Sequence, residues 1–491
     1  MFVLAALAVS SGLALRKPRA ALFAAVFFIP WAGLDVDAGL RVTAYLVLIT
    51  PLFVVSTLRG VLRRSKARKV GLGVFWLVIA YAVVWSLVQV PFLPESAVAG
   101  GALRQPAVRS MVQIIMFFIT ISPVWIVPML LSNDSHLVQV SRIYIISIVL
   151  LASIGWLQLG IWVATGSDPL PVGFFDELLG GQATQRSGVF EYLGGRVYRM
   201  SSFGGEPRDL GIGLAVALLL LQAGVKSKGR YAVLLWPYLF VSMLATFSTM
   251  AILGWLGATF LQFFVTPNCT FKMPKVGRRV RNLARWTGWL APILLVVFLS
   301  GKGVIVYELI ESRTTGRITE SEHGVLEDFN IAILQFLVHQ PLWAITGTGL
   351  GNAHIYADPF LPAYATGYAS GTSFVAKSGL LRWVSELGAV TFFVFLGWVG
   401  SRISHSVRLA HCFAQYSAMA AVMGKFAFPL IALWLVSSYI TMQFYMMIGL
   451  GLAMPRIVQA RTTGDIESVR RNQWNVSRAQ SLVNGESGVE A

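Results

Sequence analysis

YAVLLWPYLFVSMLATFSTMAILGWLGATFLQFFV, residues 231–265, runs for 35 positions without one charged side chain. A helix crossing the ~30 Å hydrocarbon core of a bilayer needs about 20 residues. The run is too long for one crossing and long enough for two short ones. It can reverse at Thr246-Phe247-Ser248-Thr249, where small hydroxyl side chains can take up the backbone bonds that a turn leaves open. Two antiparallel spans, 231–246 and 248–265, satisfy both constraints and set the class of the whole chain.

The composition agrees with that class. Of 491 residues, 56% are hydrophobic and 12% charged, and the mean hydropathy is +0.68. Soluble domains carry about 25% charged residues. Further apolar runs lie near 2–15, 20–34, 40–58, 70–90, 111–131, 143–163, 209–225, 286–300, 381–400, 414–436 and 438–454. With the opening pair they make about thirteen transmembrane helices. The expectation is an all-α, polytopic integral membrane protein, with one membrane domain over 1–454 and a polar, disordered tail over 455–491. The N-terminus has no basic residue ahead of its first apolar segment, so no cleaved signal peptide is expected.

The net charge of +17 would suit nucleic-acid binding. Here, however, the basic residues fall in short clusters between apolar runs, and such clusters mark cytoplasmic loops. Placing Arg16, Lys17 and Arg19 inside puts 59–69, 226–230, 272–285, Arg402, Arg408 and the tail inside as well. The weakest assignment is the 132–142 loop, where only Arg142 argues for the same side. Cys269 and Cys412 both fall on the cytoplasmic side, so no disulfide is expected.

Two external loops are long, 164–208 and 301–380, and both are rich in glycine and aromatic residues. Loops of this length are usually functional or disordered, and these read as ordered. They carry arginines on the side where the positive-inside trend disfavours them. A guanidinium fork binds phosphate at two points, so Arg199, Arg208, Arg313 and Arg317 are candidates for a diphosphate. The competing reading pairs them with neighbouring carboxylates. Asp35 and Asp37 could hold a cation or solvate a turn. No His/Cys grouping has zinc spacing, and no metal or cofactor is expected. The Gly347-Thr-Gly349-Leu-Gly351 pattern lacks the strand–helix context of a nucleotide site; it reads as a tight turn or a close approach to substrate.

Three stretches resemble conserved regions of the O-antigen polymerase and ligase superfamily, in the expected order. YRMSSFGGEPRDLG (198–211) is similar to its Arg…Glu-Pro region, which opens a transmembrane helix after a periplasmic loop. SRTTGRITE (312–320), followed by ILQFLVHQPLWAITGTGLGNAH (333–354), is similar to its Gly-Arg and Pro-Leu-x-Gly-x-Gly region. GLLRWVSELGAVTFFVFL (379–396) is similar to the start of the following span. The resemblance implies a GT-C-like glycosyltransferase of the bacterial inner membrane, with its site facing the periplasm. Its substrate would be an undecaprenyl-diphosphate-linked oligosaccharide serving lipopolysaccharide or exopolysaccharide synthesis. Its partners would be membrane lipids and a polysaccharide chain-length regulator, and no nucleic acid.

A ligase of that superfamily would show a His-Asn pair where this chain reads ATGYASGTSFVAKSG (365–379), so polymerase is the favoured reading. Ligase and lipid-linked oligosaccharide flippase stand as alternatives, although no internal repeat of the kind transporters carry is visible. Sugar transfer needs cationic groups at the leaving diphosphate and a base at the acceptor hydroxyl. The catalytic candidates are Glu206, His354 and Arg317. Glu206 has a rival reading as a helix cap, and His354 as a loop residue bonded to Tyr356.

Overall fold

The computed structural model describes residues 2–37, 41–62, 72–93, 105–166, 189–192, 195–225, 232–264, 328–361, 376–412, 418–455 and 457–458. Helices dominate: α1 Phe2–Arg16, α2 Pro18–Phe28, α3 Ala44–Leu62, α4 Gly73–Gln89, α5 Pro106–Ile121, α6 Pro123–Leu130, α7 Asp134–Thr165, α8 Pro207–Ala223, α9 Ala232–Ala245, α10 Thr249–Phe264, α11 Asp328–His339, α12 Pro341–Thr346, α13 Ala353–Ala357, α14 Gly379–Leu387, α15 Ala389–Cys412 and α16 Ala418–Val436. A further helix, α17, covers 441–455. Two small antiparallel hairpins qualify the all-α expectation. In one, β1 (Asp35–Asp37) pairs with β2 (Arg41–Thr43); in the other, β3 (Val189–Tyr192) pairs with β4 (Gly195–Tyr198).

Three helical segments are long and apolar enough to cross a membrane: Gly73–Phe92, Pro106–Leu130 and Asp134–Thr165. Shorter apolar helices include α1, α2, α3, α9, α10 and α16. The opening run divides where its hydroxyl residues predicted, with α9 ending at Ala245 and α10 beginning at Thr249. Other boundaries moved. The expected 111–131 span falls within the Pro106–Leu130 segment, inside which α5 gives way to α6 at Ser122-Pro123, because Pro123 has no N–H to continue the ladder. The expected 381–400 span breaks at Gly388, and α15 then runs on to Cys412. Residues 457–458 are helical and buried, so packing extends past the boundary expected at 454. The candidate span 286–300 lies outside the described residues.

Helix α8 is at the centre. It is apolar on every side, with only Arg208, Asp209, Leu221 and Gln222 escaping full burial, the pattern of a helix surrounded by others. It packs against α7, α9, α10 and α16. One large core joins residues from Ala14 to Val458. A second, small core of Ala332, Ile333, Phe336, Leu337, Ala357, Leu361 and Ala376 lies within the predicted second external loop. That loop is therefore folded over its described part, as its aromatic content suggested.

Hydrogen bonds assign the helix ends to two ends of the bundle. At one, Arg59 donates to Leu15 O (2.8 Å) and Arg19 donates to Leu130 O (2.9 Å) and Ser132 Oγ (3.2 Å). The α6–α7 connection thus lies beside Arg19. At the other end, Gly33 N donates to Phe203 O (3.0 Å) and Met200 N to Ala245 O (3.0 Å). Ser438 N donates there to Lys377 O (2.7 Å) and Ser378 Oγ to Leu435 O (2.7 Å).

Candidate active site

Two of the sequence motifs interlock. Gly347 and Gly388 have φ/ψ of +79°/163° and +82°/155°, a region essentially restricted to glycine. Each faces the other's backbone. A Cβ on Gly347 would sit 2.5 Å from Gly388 N, and one on Gly388 would sit 2.6 Å from Ile345 C and against Ile345 O. Between them, Thr348 N donates to Ser385 O and Gly349 N to Glu386 O, both at 2.9 Å. Helix α4 holds the same turn from the other side. Tyr81 Oη donates to Thr346 O (2.6 Å), Trp85 Nε1 to Gly347 O (2.7 Å), and Leu350 N to Ser86 Oγ (2.9 Å). The Gly-rich pattern is thus a packed turn rather than an open loop.

His354 follows that turn, on α13, and is buried. It shares a hydrogen bond with the Gly351 backbone, and Gly351 also hydrogen-bonds the Glu386 carboxylate, which Arg382 pairs at 3.5 Å. The Tyr356 ring packs on Phe336 (5.8 Å) and Trp343 (5.2 Å). Burial, and then the Arg109 guanidinium, push His354 down to about 4. Burial raises the Tyr356 phenol, so it stays protonated at neutral pH.

This has a pH consequence. The unfolded chain takes up the His354 proton near pH 6.5, whereas the folded chain holds none there until about pH 4. The folded state therefore loses stability as pH falls through that window, by on the order of 3 kcal/mol in full. Thermal unfolding of His354→Asn in detergent should show a smaller drop between pH 7 and pH 5 than the wild type does. Equal drops would remove His354 as the source.

Glu206 occupies the N-cap position of α8, but its side chain makes no capping bond. Its carboxylate instead takes Arg208 Nη2 at 2.8 Å, with both side chains partly exposed. The cap reading therefore applies to the backbone, and the bland expectation of an arginine–carboxylate pair applies to Arg208. Arg199 donates to the carbonyls of Thr246 (3.2 Å) and Phe247 (3.5 Å) in the α9–α10 turn. Phe247 has φ +47° there, so Arg199 stitches a strained reversal.

Much of the stretch before Glu206 is packed. Tyr198, Met200, Ser201 and Ser202 are buried. Tyr198 stacks on Trp162 (5.8 Å) and Phe203 on Trp31 (5.9 Å). The charged residues of the stretch, Arg199, Glu206, Arg208 and Asp209, stay partly exposed.

Arg313 and Arg317 lie outside the described residues. Asp35 and Asp37 lie on β1, with Asp37 opposite Arg41 in the hairpin register. Among the described residues no group of three or more metal-ligating side chains forms. His354 and Glu206 belong to different clusters, linked through the 438–440 turn on which both α8 and α14 pack. The sequence reading passed over Arg109, although it too stands directly before an apolar run, as Arg208 does.

No protein-family model matches the sequence, and no curated protein matches it. The fold is that of a helical chain with three helical segments long and apolar enough to cross a membrane, and with two polar clusters, one at Glu206–Arg208 and one around His354.

Proposed function

We propose that the chain is a membrane-embedded glycosyltransferase. It acts as a polysaccharide polymerase, moving a glycan from undecaprenyl diphosphate onto the next lipid-linked repeat at the periplasmic face of a bacterial inner membrane. About thirteen crossings in a GT-C-like arrangement, with an oligosaccharide-diphosphate substrate and a chain-length regulator as partner, belong to this proposal. The observation that supports it best is spatial. The 333–354 and 379–396 segments, singled out on residues alone, lock into each other through Gly347 and Gly388. Helix α8, whose start carries the first segment, packs on the same 438–440 turn as α14.

In this reading Glu206 takes the proton of the acceptor hydroxyl, which leaves that oxygen free to attack the anomeric carbon. Arg208 beside it, with Arg313 and Arg317 from the second loop, faces the departing diphosphate, whose developing charge such groups stabilise. His354 stays neutral and is held by the Gly turn, where it can relay a proton. Arg199 acts through the α9–α10 turn that it holds.

Purified protein given a lipid-diphosphate-linked repeat unit should release lipid diphosphate and make a ladder of products differing by one repeat. A single product that appears only with a lipid A core acceptor would replace polymerase by ligase. Movement of unchanged substrate across vesicles, with no product, would replace both by a flippase.

A further inference from the structure

Arg109 lies in the first turn of α5, three residues after Pro106. Its side chain is 5% exposed, yet Nε, Nη1 and Nη2 all lack a hydrogen-bond partner among the described residues. Its charge acts on two groups, the His354 ring and the Tyr356 phenol, and both are uncharged at neutral pH. A guanidinium cannot shed its proton, and a buried, uncompensated ion costs several kcal/mol. Among the described residues the fold supplies the cation and its enclosure but no hydrogen-bonded anion.

We propose that Arg109 anchors a binding site for a phosphate-type oxyanion, between α5 and the 351–356 segment. The segment runs close along the Arg109 face of α5. A Cβ on Gly351 would lie 2.5 Å from Gln113 Cγ, and Gln113 is one turn beyond Arg109 on the same helix face. Three open guanidinium nitrogens offer both the side and the end of the fork. A carboxylate's two oxygens fill one of these faces, whereas a phosphoryl group's three can use both. The N-terminal turn of α5 adds positive potential, and the protonated Tyr356 hydroxyl is a neutral donor nearby. The inference does not rest on the transferase reading, since the same chemistry is carried by lipid headgroups and by free phosphates.

The test is the thermal unfolding midpoint of the full chain in a non-ionic detergent, titrated separately with inorganic pyrophosphate and with phosphatidic acid. At least one should raise the wild-type midpoint and leave Arg109→Gln unmoved. Ligand-free Arg109→Gln should unfold no earlier than ligand-free wild type, because it lacks the buried charge. A response to pyrophosphate alone identifies a soluble or exposed phosphate as the ligand, and a response to phosphatidic acid alone a lipid headgroup. Arg109→Lys keeps the charge but not the fork, and should need about tenfold more ligand for the same shift; it also covers a failure of the glutamine variant to fold. No shift in wild type with either ligand, or equal shifts in wild type and variants, overturns the site.

Discussion

Gly388→Ala should lower the stability of the folded chain by about 3 kcal/mol or more, and the protein should reach the membrane in reduced yield. Two costs add. The residue has φ +82° and ψ 155°, where a side chain costs about 1–3 kcal/mol. The new methyl also meets backbone, Ile345 C at 2.6 Å and Thr346 C at 2.6 Å, and backbone cannot rotate away as a side-chain tip can. The clash pushes on a turn that α4 clamps through Tyr81, Trp85 and Ser86, so relaxation would break those bonds too. Gly400→Ala, inside α15 with nothing within 4 Å of its Cβ position, is the control and should be neutral or slightly stabilising. Unfolding midpoints in detergent decide it. A Gly388→Ala midpoint equal to wild type would mean that the two motifs do not depend on their glycines for contact.

That glycine also marks where the sequence stopped being legible. The apolar run over 381–400 reads as one span, because a single glycine in a helical pattern costs only about 1 kcal/mol. Beside the break lies the Ile345–Thr346 backbone, about forty residues earlier, close enough that a Cβ at 388 would clash with it. Such a constraint is non-local and leaves no mark in hydropathy. The 246–249 reversal was legible because its cause is local: hydroxyl groups within an apolar run, with Thr246 Oγ1 bonding back to Met243 O (2.7 Å). The break at Ser122-Pro123 was legible in principle, since proline cannot continue a hydrogen-bond ladder, but the run around it was read for length alone.

The candidate site divides in the same way. Glu206 and Arg208 are two residues apart, and their pairing could be expected from composition. The use of Arg199 could not, because its acceptors are carbonyls 47 and 48 positions away. His354 was singled out for its place after the Gly turn, but its burial and its neutral state depend on α5 and α14 packing around it. Arg109 was missed because a missing partner is a property of the folded neighbourhood; in the sequence it is one arginine among 39 basic residues.

Glu206→Gln should abolish most of the transfer activity, a loss of about 10²–10⁴-fold, while α8 stays in place. The helix should survive because the Glu206 side chain makes no capping bond; the backbone carbonyl that starts the helix, accepting from Asp209 N at 2.9 Å, is unchanged by the substitution. What disappears is the negative charge. Arg208, 16% exposed on its side chain and paired at 2.8 Å, then loses the Glu206 charge, so some loss of stability accompanies the single variant. That loss separates two explanations. If Glu206 serves only to neutralise Arg208, the double variant Glu206→Gln/Arg208→Gln removes both charges and should recover stability and activity together. If Glu206 takes the acceptor's proton and Arg208 faces the diphosphate, the double variant recovers stability and stays inactive. Product ladders and unfolding midpoints measured on the same preparations distinguish the cases, and an active double variant would end the role assigned to Glu206.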